Sequence, residues 1–296
     1  MRRGGWGREQ ERILTRCVFV SDLHGDRGKY GKLLRAVALE RPDAVFLGGD
    51  LLPFKFGSPG RSPRDFIRQY LAPELNRLRN EADHFPRIFL ILGNDDQRTE
   101  EATLQEAERL GLLEYVHQRQ ASFGGFQVYG YACVPPTPFL LKDWERYDVS
   151  RYVDPGCISP EEGRYSLPTS DEARKYSTIK ADLERLAGNV ALDQAIFLFH
   201  APPHDTCLDR AALDGVAVDG VPLEVHVGSI AIRRFIEERQ PLLTLHGHIH
   251  ESARLSHTWH ERIGRTHLFS AAHEGPELAL VRFDLESLGE ATRELI

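Results

Sequence analysis

Val18-Phe19-Val20-Ser21-Asp22-Leu23-His24-Gly25-Asp26 is a short apolar run that ends in a carboxylate and an imidazole one residue apart. The same arrangement recurs along the chain. Val45-Phe46-Leu47 runs into Gly48-Gly49-Asp50, and Phe89-Leu90-Ile91-Leu92 into Gly93-Asn94-Asp95-Asp96. Phe197-Leu198-Phe199 runs into His200-Ala201-Pro202-Pro203-His204, and Leu243-Thr244-Leu245 into His246-Gly247-His248-Ile249-His250. Apolar runs of four to eight residues bounded by turn residues read as buried strands. Ligands of open α/β sheets collect at the carboxyl ends of strands, so these five tips are expected along one edge. A lone Asp after a strand is usually a cap or turn residue, and a lone His there is usually structural. Five tips that all carry ligand-type side chains are hard to explain as five separate turns.

Between the tips the period changes. Leu33, Leu34, Val37 and Ala38 give Lys29–Glu40 a helical face, and Phe66, Ile67, Tyr70, Leu71, Leu75 and Leu78 do the same for Asp65–Asn80, with Pro73 as a kink or break. Glu100–Leu110, Asp171–Ala187 with Ser170 as N-cap, and Ile230–Glu238 with Ser229 as N-cap are read as further helices. Ile13–Val20, Ala44–Leu47, Ile88–Leu92, Ala195–Phe199 and Leu242–Leu245 read as strands, and Ser122–Ala132 as a hairpin over Gly124-Gly125. Three strand-like runs close the chain, near Ser252–Ser256, His267–Ala271 and Leu278–Phe283. Alternating strands and helices followed by strand-rich sequence make a layered α/β protein, parallel at first and antiparallel in the tail. Val134–Pro168, rich in Pro, Tyr and Gly, reads as a long irregular excursion, the kind of loop that forms a lid or is disordered. Tyr147, Tyr152 and Tyr165 within it are read as a small satellite core more readily than as a base-stacking pocket. One domain over 13–285 is expected, with insertions near 51–65 and 134–170 and an extension over 1–12.

Composition narrows the class. The chain has 296 residues, 41% hydrophobic and 27% charged, which excludes a mostly disordered protein. The apolar runs are far shorter than the roughly 18 residues of a membrane span, and Met1–Gln10 has no apolar core of a secretory signal. The four cysteines, Cys17, Cys133, Cys157 and Cys207, form no C-x-x-C pair. A cytoplasmic protein with free thiols is expected. A net charge of −7 argues against nucleic-acid binding by bulk charge, despite Arg2, Arg3, Arg8, Arg12 and Arg16 near the start.

The ligand set is Asp, His and Asn without thiolate, which suits Mn, Fe, Zn, Co or Ni and, with so much imidazole, disfavours Mg. His248 and His250 alternate on an extended segment and face the same way. Seven ligands are too many for one four-coordinate ion and suit two ions, roughly 3.5–4 Å apart, sharing a carboxylate. No G-x-S-x-G elbow and no GxxxxGK[ST] loop is present.

The ordered set Asp-x-His, Gly-Asp, Gly-Asn-x-Asp, His, Gly-His-x-His, carried by Asp22, His24, Gly49-Asp50, Gly93-Asn94-Asp95-Asp96, His200 and Gly247-His248-Ile249-His250, resembles the calcineurin-like metallophosphoesterase family. That resemblance implies a four-layer α/β/β/α sandwich of two mixed sheets flanked by helices. It implies that Asp22, His24 and His250 hold one divalent ion, that Asn94, His200 and His248 hold a second, and that Asp50 bridges them. Mn is the first expectation for both ions. A hydroxide bridging the ions would attack phosphorus in a small phosphoester. The family's fuller motif reads Gly-Asn-His-Asp, with the His near the leaving group; here that position is Asp95, which must turn away from phosphate or carry a proton. Relatives lacking this His resemble phosphodiesterases, so a phosphodiesterase is expected. His204 is a candidate substitute proton donor, and His246 is read as structural. The competing readings are a non-catalytic metal-binding scaffold of the same fold and a phosphomonoesterase or nucleotide hydrolase.

Overall fold

The computed structural model describes residues 15–53 and 63–296. The first residues of the expected Ile13–Val20 strand, the arginine cluster up to Arg12 and most of the expected insertion at 51–65 lie outside them.

The strands are β1 (Arg16–Val20), β2 (Ala44–Gly48), β3 (Arg87–Ile91), β4 (Glu114–Tyr115), β5 (Gln120–Phe123), β6 (Phe126–Tyr131), β7 (Ala195–Phe199), the short pair β8 (Ala217–Val218) and β9 (Val221–Pro222), β10 (Leu243–His246), β11 (His260–Ile263), β12 (Thr266–Ser270), β13 (Ala279–Asp284) and β14 (Thr292–Leu295). The helices are α1 (Arg27–Glu40), α2 (the continuous run Pro63–Phe66, Ile67–Leu71, Ala72–Glu81), α3 (Glu101–Arg109), α4 (Asp171–Tyr176), α5 (Ile179–Ala187), α6 (Ile230–Arg239) and α7 (Ser252–Ser256).

Two six-stranded sheets form, ordered β14-β13-β1-β2-β3-β4 and β11-β12-β10-β7-β6-β5. The second sheet is parallel at its centre and antiparallel at both edges, whereas the first is antiparallel at its β13–β14 edge and ends in the parallel β4 at the other. β1, β2, β3 and β4 are parallel, as are β6, β7, β10 and β12, while β13, β14, β5 and β11 pair antiparallel. The tail is therefore divided between the sheets. β12 extends the second in parallel, and β13 returns antiparallel beside β1. The sheets pack face to face, and Phe269 of β12 meets Phe283 of β13 across the interface with ring centroids 5.7 Å apart. Buried rings on both strands are what a sheet-on-sheet core requires, because each sheet needs an apolar partner for its inner face. On the outer faces, α1 and α2 cover β2 and β3 through Leu33, Leu34, Leu71 and Leu75 against Val45, Leu47 and Ile88. Phe235 of α6 packs on Phe197 of β7, centroids 5.0 Å apart. Helices thus flank both sheets, the four-layer arrangement expected above.

Several local readings change. Ser252–Ser256, read as a strand, is a one-turn helix in which Leu255 N–H bonds Glu251 O at 3.0 Å. Five residues are too few for a period to declare itself. Asp171–Ala187 is two helices, because Thr178 starts the second by accepting from Ala181 N–H as Ser170 does from Ala173 N–H. Pro73 does not break α2. A wide turn at Ile67–Leu71, closed by Ala72 N–H to Ile67 O, precedes it, and such turns absorb irregularity within a helix. β4, β11 and β14 had no readable signal.

The excursion Val134–Pro168 is ordered. Lys142 and Glu145 are both fully buried and paired, and Glu145 also accepts from Thr137 N–H (2.7 Å) and Oγ1 (2.6 Å). Tyr147 is buried with its hydroxyl donating to Glu161 at 2.8 Å, as a satellite core requires, whereas Tyr152 is exposed. Among the described residues no helix is long and apolar enough to cross a membrane.

Candidate metal centre

Parallel register brings the tips level. Val20 lies beside Leu47, Leu47 beside Leu90, and Leu245 beside Leu198, so the residues that follow each strand emerge at one edge. The loops after β1 and β2 continue to pair beyond the strands, through Asp22 N–H to Gly49 O (3.0 Å) and His24 N–H to Asp50 O (2.8 Å). In the other sheet Gly247 N–H bonds His200 O at 2.9 Å.

Asp22 (φ 57°), His24 (φ 45°), Asp50 (φ 51°) and His248 (φ 74°) all adopt left-handed backbone. That conformation is uncommon outside glycine and costs of order 1–3 kcal/mol per residue. Four such residues among the seven expected ligands show that the fold holds these tips in strained conformations that aim the side chains at each other.

The side chains converge in two groups. Ligand atoms of Asp22, His24, Asp50 and His250 lie within 4.8 Å of one another, and so do those of Asp50, His200 and His248. Asp50 belongs to both. His24 Nε2 and His250 Nε2 are 3.3 Å apart, and His250 Nε2 is 3.3 Å from Asp22 Oδ1. His200 Nε2 is 3.0 Å from Asn94 Oδ1 and 3.3 Å from Asp50 Oδ2. Asp22, His24, Asp50 and Asn94 follow strands of one sheet; His200, His248 and His250 follow strands of the other. The structure therefore brings together all seven residues of the ordered set.

The surroundings orient these groups. His200 Nδ1 donates to Gly48 O at 2.8 Å, which leaves Nε2 as the atom facing the cluster. His248 N–H donates to Asp22 Oδ1 at 3.1 Å, and Asp95 N–H donates to Asp50 Oδ1 at 2.8 Å. Asp96, buried, accepts from Gly93 N–H (3.0 Å), Leu51 N–H (3.1 Å) and Leu52 N–H (2.9 Å), tying the Asn94 loop to the Asp50 loop. Asp26 accepts from Gly28 N–H and Lys29 N–H as the N-cap of α1. Asp26 and Asp96 thus cap a helix and tie loops together rather than join the converging ligand atoms, as the usual role of an Asp after a strand predicts.

Electrostatics call for cations here. Asp22 and Asp50 are 1% and 2% exposed, and among the described residues neither is paired with Lys or Arg. Burial pushes both carboxyls up, but His250 beside Asp22 and His200 beside Asp50 outweigh it and hold both below the usual carboxylate range. Burial pushes His200 down, yet the Asp50 charge carries it up to about 10. A buried carboxylate pair needs positive charge nearby, and divalent ions supply it by taking the place of ligand protons. Oxygen and imidazole donors with a shared carboxylate fit two divalent ions.

Asp95 stands at the rim, 29% exposed, with Oδ2 3.7 Å from His24 Nδ1. Burial and the Asp50 charge raise its carboxyl to about 7. His204 is not among the converging atoms; its ring lies against His226, centroids 6.2 Å apart. His246 uses both ring nitrogens, on Ala201 O (2.9 Å) and Thr244 Oγ1 (2.8 Å), and so has no free lone pair for a metal.

A sequence model of the calcineurin-like phosphoesterase family matches residues 15–252. No curated protein sequence matches significantly. Among solved structures, TT1561 of Thermus thermophilus is similar at 17% identity with a TM-score of 0.57, over 96% of this chain and 99% of that one. A second crystal structure is similar at 17% identity and a TM-score of 0.59, with the same coverage of each chain. At that identity the likeness is one of fold.

Proposed function

The chain belongs to the calcineurin-like phosphoesterase family, and from that premise we propose that it is a two-metal phosphodiesterase. The observation that carries this reading is the sharing of Asp50 between two ligand groups drawn from opposite sheets. In the proposal Asp22, His24 and His250 hold one ion, Asn94, His200 and His248 hold the other, and Asp50 bridges them. When bound, such ions activate water for attack on phosphorus and neutralise charge on the phosphoryl oxygens. Mn is proposed for both positions because imidazole with carboxylate disfavours Mg.

The chain's own residues prepare this chemistry. Asn94 offers a neutral oxygen, so that only Asp22 and Asp50 subtract charge and the centre stays attractive to a phosphate anion. Gly48 O, by taking the proton of His200 Nδ1, keeps Nε2 turned inward. Asp95 N–H steadies the bridging carboxylate, while the Asp95 side chain occupies the rim position where the resemblance places an imidazole. General-acid help is worth about 10²–10⁴-fold, and its weakening matters least for substrates with good leaving groups. A diester carries one negative charge fewer than a monoester and meets less repulsion from a carboxyl at the rim. These two arguments favour phosphodiesters.

The test uses metal-stripped protein with each metal restored in turn, assayed on bis-p-nitrophenyl phosphate and p-nitrophenyl phosphate. Faster diester turnover with Mn is expected. Preference for the monoester would overturn the substrate class, and two bound ions without turnover on either would overturn the enzymatic reading.

A further inference from the structure

The metal ligands are divided between two sheets, so the Asn94 loop of one sheet must be held in register with His200 of the other. Asn94 lies in the turn closed by Asp96 N–H to Gly93 O at 3.1 Å. The Asp96 carboxylate ties this turn to the Asp50 loop, which belongs to the same sheet. Beyond the His200 Nε2–Asn94 Oδ1 contact itself, ties to the other sheet come from the excursion. Trp144, 1% exposed, donates its indole N–H to the backbone carbonyl of Asp96 at 2.8 Å. Its own backbone is fastened to the chain leaving β6, with Val134 N–H to Trp144 O at 2.8 Å and Arg146 N–H to Val134 O at 3.1 Å. Its ring stands edge-on against His117, centroids 4.8 Å apart. Next to it, Asp143 accepts from Arg98 N–H and from Ser166 N–H, both at 2.8 Å, and Ser166 Oγ accepts from Thr99 N–H at 3.2 Å. The excursion thus takes hold of the β3 loop at Asp96, Arg98 and Thr99.

We propose that Trp144 is a positioning residue, which through its indole N–H on the Asp96 carbonyl holds Asn94 in place for the metal ion shared with His200 and His248. Asp143 assists through Arg98. The inference rests on the two-ion reading above. It predicts an asymmetric defect, because Asp22, His24 and His250 make none of these contacts. Removing the indole donor leaves the buried Asp96 carbonyl without that partner and frees the turn to shift relative to His200. Supporting contacts of this kind carry about 10–100-fold in metal affinity.

The experiment titrates Mn into the metal-stripped full chain by calorimetry, alongside thermal unfolding in a chelator. Asn94→Ala identifies which of two binding events belongs to the second ion. Trp144→Phe is expected to weaken that event about tenfold and leave the other within about twofold. Trp259→Phe, whose ring packs on Phe269 away from this loop, should lower thermal stability without changing either event. Where Trp144→Phe fails to fold, Asp143→Asn should show the same selective weakening, at the low end of that range. Unchanged affinities in folded Trp144→Phe, or equal weakening of both events, would overturn the inference while leaving the metal centre intact. A parent protein that binds no ion would overturn the metal centre itself.

Discussion

Replacing Gly93 by alanine tests the centre without replacing any residue proposed to hold metal. A Cβ built there would sit 2.3 Å from Asp50 Oδ1, 2.4 Å from Asp50 N and 2.7 Å from His200 Nε2. Non-bonded heavy atoms normally settle at about 3.5 Å or beyond, so these neighbours must retreat by roughly 1 Å. Asp50 and His200 are both buried; Asp50 Oδ1 is already held by Asp95 N–H, and His200 is held through its other ring nitrogen by Gly48 O, so they have little room to yield. Overpacking of this size costs about 1–3 kcal/mol, or roughly 2–4 °C of melting temperature per kcal/mol in a large domain. Supporting contacts around a metal carry about 10–100-fold in metal affinity, so displacing Asp50 and His200 themselves should weaken binding by at least that much. Calorimetric titration with Mn reads the second effect, and thermal unfolding in a chelator isolates the first. Gly31→Ala is the control. Gly31 lies inside α1 with nothing within 4 Å of its added Cβ, and the change should stabilise by about 0.5–1 kcal/mol. If Gly93→Ala bound two ions with the parent's affinities, the crowded convergence on Asp50 and His200 would be wrong.

Three further outcomes follow from the same geometry. Asp50→Asn should lose both bound ions and turnover together, as metal analysis and the diester assay would show; retention of full activity contradicts a shared ligand. Asp95→His should raise turnover of poor-leaving-group esters relative to p-nitrophenyl esters, and an equal effect on both would remove Asp95 from the leaving-group side. His117 should also contribute a loss of stability on the acid side of neutrality. Burial, then Arg146 and Arg98, push His117 down to about 3 from an unfolded value near 6.5. Its neutral form is favoured in the fold, so the stability it contributes is present above about pH 6.5 and is lost as pH falls toward about 3. His117→Gln should therefore lower the slope of unfolding free energy against pH below about pH 6.5 by up to ~1.4 kcal/mol per pH unit, measured by urea unfolding in a chelator. An unchanged slope would mean that His117 takes up its proton in the folded protein as readily as in the unfolded chain.

The apolar runs and the polar residues that end them determined much of this protein by themselves. A buried parallel strand must be a continuous apolar run, and a side chain at its end needs no long-range information to be recognised as a candidate. Phe19, Phe46, Phe89, Phe197 and Leu245 therefore announced the strands, and Asp22, Asp50, Asn94, His200 and His248 their tips. Local chemistry also marked Ser170 and Ser229 as caps. The tertiary structure decided what local pattern cannot encode. β4, β11 and β14 are short or polar and exist because a neighbouring strand offers hydrogen bonds. Ser252–Ser256 coils because it follows the His250 tip, where Glu251 O is free to accept. The excursion reads as a structureless loop because its order comes from single long-range contacts, Trp144 on Asp96, Asp143 on Arg98 and Ser166 on Thr99, none of which has a period. Most of all, the meeting of four side chains from one sheet with three from the other is a property of how two sheets stack, and stacking is set by packed volume across an interface that no single stretch of sequence contains.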